Sequence, residues 1–224
     1  MRKGLLAVMT AGLLAVGGGA FVASSSAFGY TICNGVHDHE TLQGPVVVPK
    51  GAFCYLKDFT TVNGNVQVQS GGTLVIDSSQ INGSVQSNAP GSNASDPLSL
   101  GISPFSIEIC ESTTEGPVQI SNAQAAVVIG GPNCPGSGNV LNEAGSSGST
   151  GVSLTANNGP TYLDDQRGFC GPCIQGSVSV SGNKRLTDIT DNDIGGSLNC
   201  TANNPPPTGG GNTAANKTAQ CSGL

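Results

Sequence analysis

Short alternations of apolar and polar residues return along this chain in one seven-residue phrase. It reads Leu42-Gln-Gly-Pro-Val-Val-Val48, Val62-Asn-Gly-Asn-Val-Gln-Val68 and Ile81-Asn-Gly-Ser-Val-Gln-Ser87, and later Thr114-Glu-Gly-Pro-Val-Gln-Ile120, Ile174-Gln-Gly-Ser-Val-Ser-Val180 and Ile194-Gly-Gly-Ser-Leu-Asn-Cys200. The step is 20 residues from Leu42 to Val62, 19 from Val62 to Ile81 and 20 from Ile174 to Ile194. A fixed period of this length marks a solenoid, in which each unit buries its apolar face only against its neighbours. In the clearest unit, Val66 and Val68 alternate with Gln67 and Gln69, the period of two expected of a strand with one buried face. Ser70-Gly71-Gly72 then turns the chain. Leu74 and Ile76 point inward while Thr73, Val75 and Asp77 point out, Ser78-Ser79-Gln80 turns the chain again, and Ile81 points in. Three strands and three turns per repeat predict an all-β fold, a single-stranded right-handed parallel β-helix of triangular section with coils of ~19–20 residues and disulfide-stapled ends.

Asn63-Gly64 and Asn82-Gly83 fall at the same place in successive coils. Both residue types tolerate the left-handed backbone of a sharp corner, and stacked asparagines can bond one another along the axis. The pattern blurs from Gln86 to Ser103, Gly130 to Gly151 and Asn157 to Gly171, which read as loops thrown out from the corners. Strand fragments survive between them at 105–109, 126–129 and 152–154. Binding commonly resides in loops on a rigid scaffold, so these segments are where a site is expected. The open ends of a solenoid are exposed sheet edges and need caps. Residues 28–41 and 201–224 read as the caps of one domain, 28–224, whose coils run from 42 to 200.

Residues 1–27 read as a secretory signal. Arg2 and Lys3 precede an apolar run from Gly4 to Val22, and Ser25-Ser26-Ala27 supplies a small-x-small cleavage site. Cleavage after Ala27 would remove two cations and take the formal charge from −6 to −8, leaving no transmembrane anchor. An acidic surface disfavours nucleic acid and anionic lipid as partners. The eight cysteines all lie downstream of Ala27, as expected of disulfides formed outside the cytoplasm. They allow 105 pairings. Sequential pairing is attractive because Cys33 to Cys54 and Cys200 to Cys221 are each 21 residues apart, close to one coil. Stacked coils lie roughly 4.8 Å apart, within disulfide reach. That scheme also pairs Cys110 with Cys134 and Cys170 with Cys173.

The stretch Gly44-Pro-Val-Val-Val-Pro-Lys-Gly-Ala-Phe-Cys54, the repeated Asn-Gly-Asn/Ser-Val units and the ending from Ile194 through Asn216-Lys-Thr-Ala-Gln-Cys-Ser-Gly-Leu224 resemble small secreted actinobacterial β-helix proteins. The resemblance spans nearly the whole chain after Ala27. It implies fold and secretion but no catalytic residues, because that group carries no assigned activity. A more distant similarity is to bactofilins, whose short coils polymerise. Those lack signal peptides and stapled ends, which weakens any implication of filaments.

Several residue sets bear on chemistry. Cys170-Gly-Pro-Cys173 has the spacing of a redox dithiol, yet it precedes a strand phrase with no βαβ pattern around it, so a structural disulfide is expected. His37 and His39 share one face if extended and, with Asp38 and Glu40, could hold a metal; a polar cap segment is the plainer reading. A zinc site joining these histidines to Cys170 and Cys173 would require distant parts of the rod to meet. Asp164-Asp165 resembles the adjacent aspartates of polygalacturonases, where carboxylates act as acid and base, and Lys184-Arg185 could meet an acidic sugar. The histidine-glycine and arginine-x-lysine elements of those enzymes are absent. Asp188, Asp191 and Asp193, with Asn192 among them, could offer oxygens to calcium, but their spacing matches no standard loop. The chain has no Trp. Phe53, Tyr55 and Phe59 read as core and cap, leaving Tyr162 and Phe169 as aromatic residues in a candidate loop.

These features predict a secreted, non-enzymatic structural or surface-interaction protein with no cofactor and no resident metal. Cell-wall or extracellular polysaccharide, or a surface protein, are the partners considered. The alternative is a carbohydrate-binding or carbohydrate-cleaving module using Tyr162, Asp164 and Asp165.

Overall fold

A computed structural model describes residues 29–95, 97–131, 134, 138–146, 148–166 and 170–224. The proposed signal segment and Phe169 lie outside the described residues. The fold is a parallel β-helix. The chain winds through three sheets in turn, and each strand pairs with its counterpart one coil away. The first sheet stacks nine strands: Thr31–Ile32, Val46–Val48, Val66–Val68, Val85–Asn88, Val118–Ser121, Thr150–Thr155, Ser177–Ser181, Ser197–Thr201 and Asn216–Ala219. The second stacks eight: Gly35–Asp38, Phe53–Lys57, Thr73–Asp77, Phe105–Cys110, Ala126–Gly130, Thr161–Asp164, Thr187–Thr190 and Thr208–Gly210. The third has four strands, Thr41–Gln43, Thr61–Asn63, Gln80–Ile81 and Thr113–Thr114, and continues as single bridges through Leu141, Ile174 and Ile194.

The repeated phrase supplies two apolar columns to the first sheet. Val46, Val66, Val85, Val118, Val152, Val178 and Leu198 stack in register, as do Val48, Val68, Ser87, Ile120, Leu154, Val180 and Cys200. Leu56, Ile76, Ile109, Ile129, Leu163 and Ile189 face them from the second sheet. Almost all of these side chains are fully buried in one core, and each large one contributes roughly 1.5–3 kcal/mol relative to exposure.

Several details differ from the sequence reading. The terminal segments read as caps contain strands paired into the sheets. Thr31–Ile32 and Gly35–Asp38 pair with Val46–Val48 and Phe53–Lys57, while Thr208–Gly210 and Asn216–Ala219 extend the two long sheets at the other end. The reason is that a strand edge is best satisfied by one more rung. Gly64 and Gly83 are not left-handed. They are required because a β-carbon at either would lie 2.8 or 2.7 Å from backbone of the preceding coil. The left-handed corner residues stand elsewhere, at Ala89, Asn122, Ala156, Gly182 and Ala202, one after another along the axis.

The asparagine ladder exists at the surface, where Asn63 donates to Gln43 at 3.0 Å and Asn82 donates to Asn63 at 2.8 Å. Two further amide columns are buried. Asn157, Asn183, Asn203 and Gln220 accept from the backbone N–H of Ala123, Asn157, Asn183 and Asn203 at 2.9–3.0 Å apart from 3.1 Å at Asn183. At the corner following the second sheet, Ser112, Asn139 and Gln166 do the same for Ser79, Ser112 and Asn139. Amide side chains thus meet the backbone donors that the sharp corners leave unpaired.

Disulfides join Cys33 to Cys54, Cys110 to Cys134, Cys170 to Cys173 and Cys200 to Cys221, with Cα separations of 5.4, 5.5, 4.9 and 5.2 Å. The first and last link neighbouring coils near the two ends of the core. Among the described residues, no helix is long and apolar enough to cross a membrane.

Candidate functional site

Some stretches of the segments expected as loops are strands instead. Gln86 to Asn88 belong to the first sheet, and Thr161–Asp164 is a strand of the second. Residues 97–104 fold back over the outer face of the second sheet, and Asn93 bridges Phe105 in antiparallel fashion. Leu100, Cys134 and the outward-pointing Val75 and Val128 form a second apolar cluster there, with Tyr55 and Tyr162 packed against it. Val75 therefore points out of the helix but is fully buried. Glu108, between Val75 and Val128 in register, is also buried under this cover.

Tyr162 and Asp164 share the outer face of their strand, since Thr161 and Leu163 point into the core. Asp165 follows in a left-handed corner, φ 54°. Tyr162 faces Asp188 of the next coil in register, and Asp164 faces Thr190. Burial pushes the Asp164 carboxyl up, and the charges of Asp188, Asp165 and Asp191 add to the rise. Asp188 and Asp191 thus lie on one patch with Asp164 and Asp165, while Asp193 bridges Thr213 in the following corner. The crevice at Tyr162 and Asp164, walled by Leu100, Ile102, Val128 and Cys134, has a volume of about 40 Å³. Tyr162 also borders a wider groove of about 380 Å³, along Ile102, Ser103, Pro104, Gln124 and Asn158. The ring of Tyr162 is partly buried, packed on one side against the second apolar cluster.

His37 and His39 do not share a face. Gly35–Asp38 ends before His39, which turns in a left-handed corner at φ 52°. His37 contacts Glu40 at 2.6 Å, and His39 bonds Asp38. Asp38, His39 and Asp58 form the only three-ligand group among the described residues. Lys57 already sits in it, 3.0 Å from Asp38 and 2.6 Å from Asp58, which drives the Lys57 ammonium pKa up; the His39 hydrogen bond and then Lys57 lower that of Asp38. Asp188, Asp191 and Asp193 form no such group. Cys170 and Cys173 are bonded to each other, so neither offers a thiolate to a metal.

The chain matches no known protein family, no curated protein and no solved structure. Its surfaces alone carry the functional argument.

Two surfaces escaped the sequence reading. On the outer face of the first sheet, Gln67, Gln86, Gln119, Ser153, Ser179, Asn199 and Thr218 stand in one register row. Asn88, Ser121, Thr155, Ser181 and Thr201 form a second row. Neither row contains a charged residue, and a groove of about 740 Å³ runs beside Gln67, Gln86, Gln119 and Thr155. The period-two pattern placed these side chains outside, but only the coil register aligned them.

The other surface is around Phe59, which is 77% exposed rather than part of core or cap. Phe53 and Tyr55, by contrast, are partly buried against the second apolar cluster. Burial, followed by the Asp77 charge, pushes the Tyr55 hydroxyl up to about 12. Tyr55 donates to Asp77 at 3.4 Å.

Proposed function

We propose that this is a secreted, non-enzymatic structural or surface-interaction protein, a stapled rod that lies against an extended partner. The observation that carries this reading is the charge-free outer face of the first sheet. Its first row spans seven coils from Gln67 to Thr218, roughly 29 Å at the spacing of stacked strands. Amides and hydroxyls repeating at that interval on a rigid support suit a long polar partner, such as an extracellular polysaccharide or the strand-like surface of another protein. The four disulfides favour an oxidising compartment. The crevice at Asp164 itself, about 40 Å³, is small for a sugar ring.

Sedimentation of the protein with isolated cell-wall polysaccharide tests the reading. The wild type is expected to co-sediment, and Ser153→Arg with Ser179→Arg to reduce co-sedimentation without lowering the melting temperature. No new reducing ends are expected. Release of reducing ends that disappears in Asp164→Asn with Asp165→Asn would overturn the non-enzymatic reading in favour of the carboxylate site.

A further inference from the structure

Phe59 is an extra residue. His37, Leu56 and Ile76 share one register position of the second sheet, and Leu42, Val62 and Ile81 share one in the third. Four residues (38–41) join the two positions in the first of these coils and four (77–80) in the third, but five (57–61) in the coil between. Thr60 keeps the buried place that Ser79 holds one coil later, donating to the carbonyls of Lys57 at 2.8 Å and His37 at 3.1 Å. The surplus is expelled outward as Phe59.

The Phe59 N–H donates to the Ser78 carbonyl at 2.7 Å, in a corner where His39, Asp58, Ser78 and Glu111 are left-handed too. Phe59 has φ 67°, a left-handed conformation that costs a bulky side chain roughly 1–3 kcal/mol, and its ring stands in solvent. The left-handed corner is common to these coils; what is particular to this one is an inserted aromatic ring held in solvent.

The surroundings show what that ring faces. A groove of about 390 Å³ runs from the Phe59 ring along the outer face of the third sheet. Thr61, Gln80 and Thr113 stand along it in register, one per coil, and Glu111 closes the far side, where its carboxylate accepts from the Ser78 hydroxyl at 3.0 Å. The exposed imidazole of His39 lies 5.8 Å from the Phe59 ring and is tilted 57° to it, so the Phe59 face alone is the flat surface. A flat apolar ring beside a row of hydroxyl and amide groups, with one carboxylate acceptor and no cation in the lining, is complementary to a pyranose. The sugar's C–H face covers the ring, and its equatorial hydroxyls meet the polar row.

We infer that the groove at Phe59 is a saccharide-binding subsite for a linear, uncharged polysaccharide running along the helix axis. It rests on the surface-interaction reading above and adds a second, separate face to it. Phe59 supplies stacking area, Thr61, Gln80 and Thr113 supply hydrogen bonds, and Glu111 accepts from a sugar hydroxyl.

The test uses the disulfide-intact protein and soluble hexasaccharides of β-1,4-linked glucose and of β-1,4-linked N-acetylglucosamine. Calorimetry measures affinity, and proton NMR follows the Phe59 ring. One of the two probes is expected to shift the Phe59 resonances saturably. Phe59→Ala should weaken that binding at least ~10-fold, as loss of a central aromatic contact does, while Phe59→Trp retains it. Because the ring is exposed, both variants should keep the wild-type melting curve. Ser153→Arg with Ser179→Arg, on the other face, should leave hexasaccharide affinity unchanged. Equal affinity of Phe59→Ala and wild type, or no shift of the ring with either probe at millimolar concentration, overturns the subsite. If cell-wall sedimentation survives that result, the surface-interaction reading stands without the subsite; if sedimentation also fails, both fall.

Discussion

Gly64 and Gly83 lie in a column where consecutive coils touch through backbone, and their hydrogen atoms face the carbonyl carbons of Gly44 and Gly64. Adding a methyl group there forces the coils apart, so Gly83→Ala is expected to destabilise by about 1–3 kcal/mol in urea denaturation. The opposite holds at Ala156, whose φ of 54° an alanine adopts only under strain. Gly182 occupies the same column one coil on. Ala156→Gly is therefore expected to stabilise by ~0.5–1 kcal/mol, after allowing for the larger entropy that glycine loses on folding, and the same denaturation experiment reads it. Asn-Gly composition marked the corners at Gly64 and Gly83 as special in the sequence. Which corners need a left-handed residue and which need only absence of a side chain depends on how closely two coils approach, and single-coil patterns contain no such distance.

At the scale of the element, the buried amide columns hold the corners. Asn183 accepts from the Asn157 backbone N–H at 2.9 Å and donates to the Leu154 carbonyl at 3.3 Å. Asn183→Leu orphans both groups inside the rod and is expected to cost about 1–3 kcal/mol, read as a lowered melting temperature. These asparagines were hard to read from sequence because Asn is also the commonest turn residue, and Asn157 falls in a stretch whose Gly, Asn and Pro content mimics a free loop. Strands with strict alternation, such as Ser177–Ser181, were legible as they stood. Thr161–Asp164 was not, since its inward positions are Thr and Leu and its outward ones Tyr and Asp, which blurs the apolar contrast. The cover on the second sheet hid itself for a related reason. Leu98, Leu100 and Ile102 alternate as a strand would, but they pack across the sheet instead of within it.

For the whole molecule, charge is concentrated where the two long polar rows are not. The patch of Asp164, Asp165, Asp188 and Asp191 lies on the second sheet, and burial together with these neighbours raises the Asp164 pKa above its unfolded value. A carboxyl with a raised folded pKa holds its proton more tightly in the native state. It weakens the fold above that pKa, and the penalty fades as pH falls through it towards the ordinary aspartate value near ~4. Asp164→Asn is accordingly expected to raise the melting temperature at pH 7, with the gain shrinking towards pH ~4; an equal gain at both values would contradict the burial and repulsion argued for this carboxyl. The repeated phrase and its step of about twenty residues pointed to the coil, its length, its inward residues and its stacking, because units returning at a fixed period bury their apolar faces against their own copies. The sequence also displayed the spacing that disulfides between neighbouring coils require. Only the tertiary structure decided what the outside of the rod presents. Residues about twenty apart become neighbours through register, so the charge-free rows, the patch that Asp188 and Asp191 share with Asp164 and Asp165, and the burial of Val75 exist only once coils stack. The single surplus residue that expels Phe59 becomes visible only against the coils on either side, since an insertion is defined by the register it interrupts.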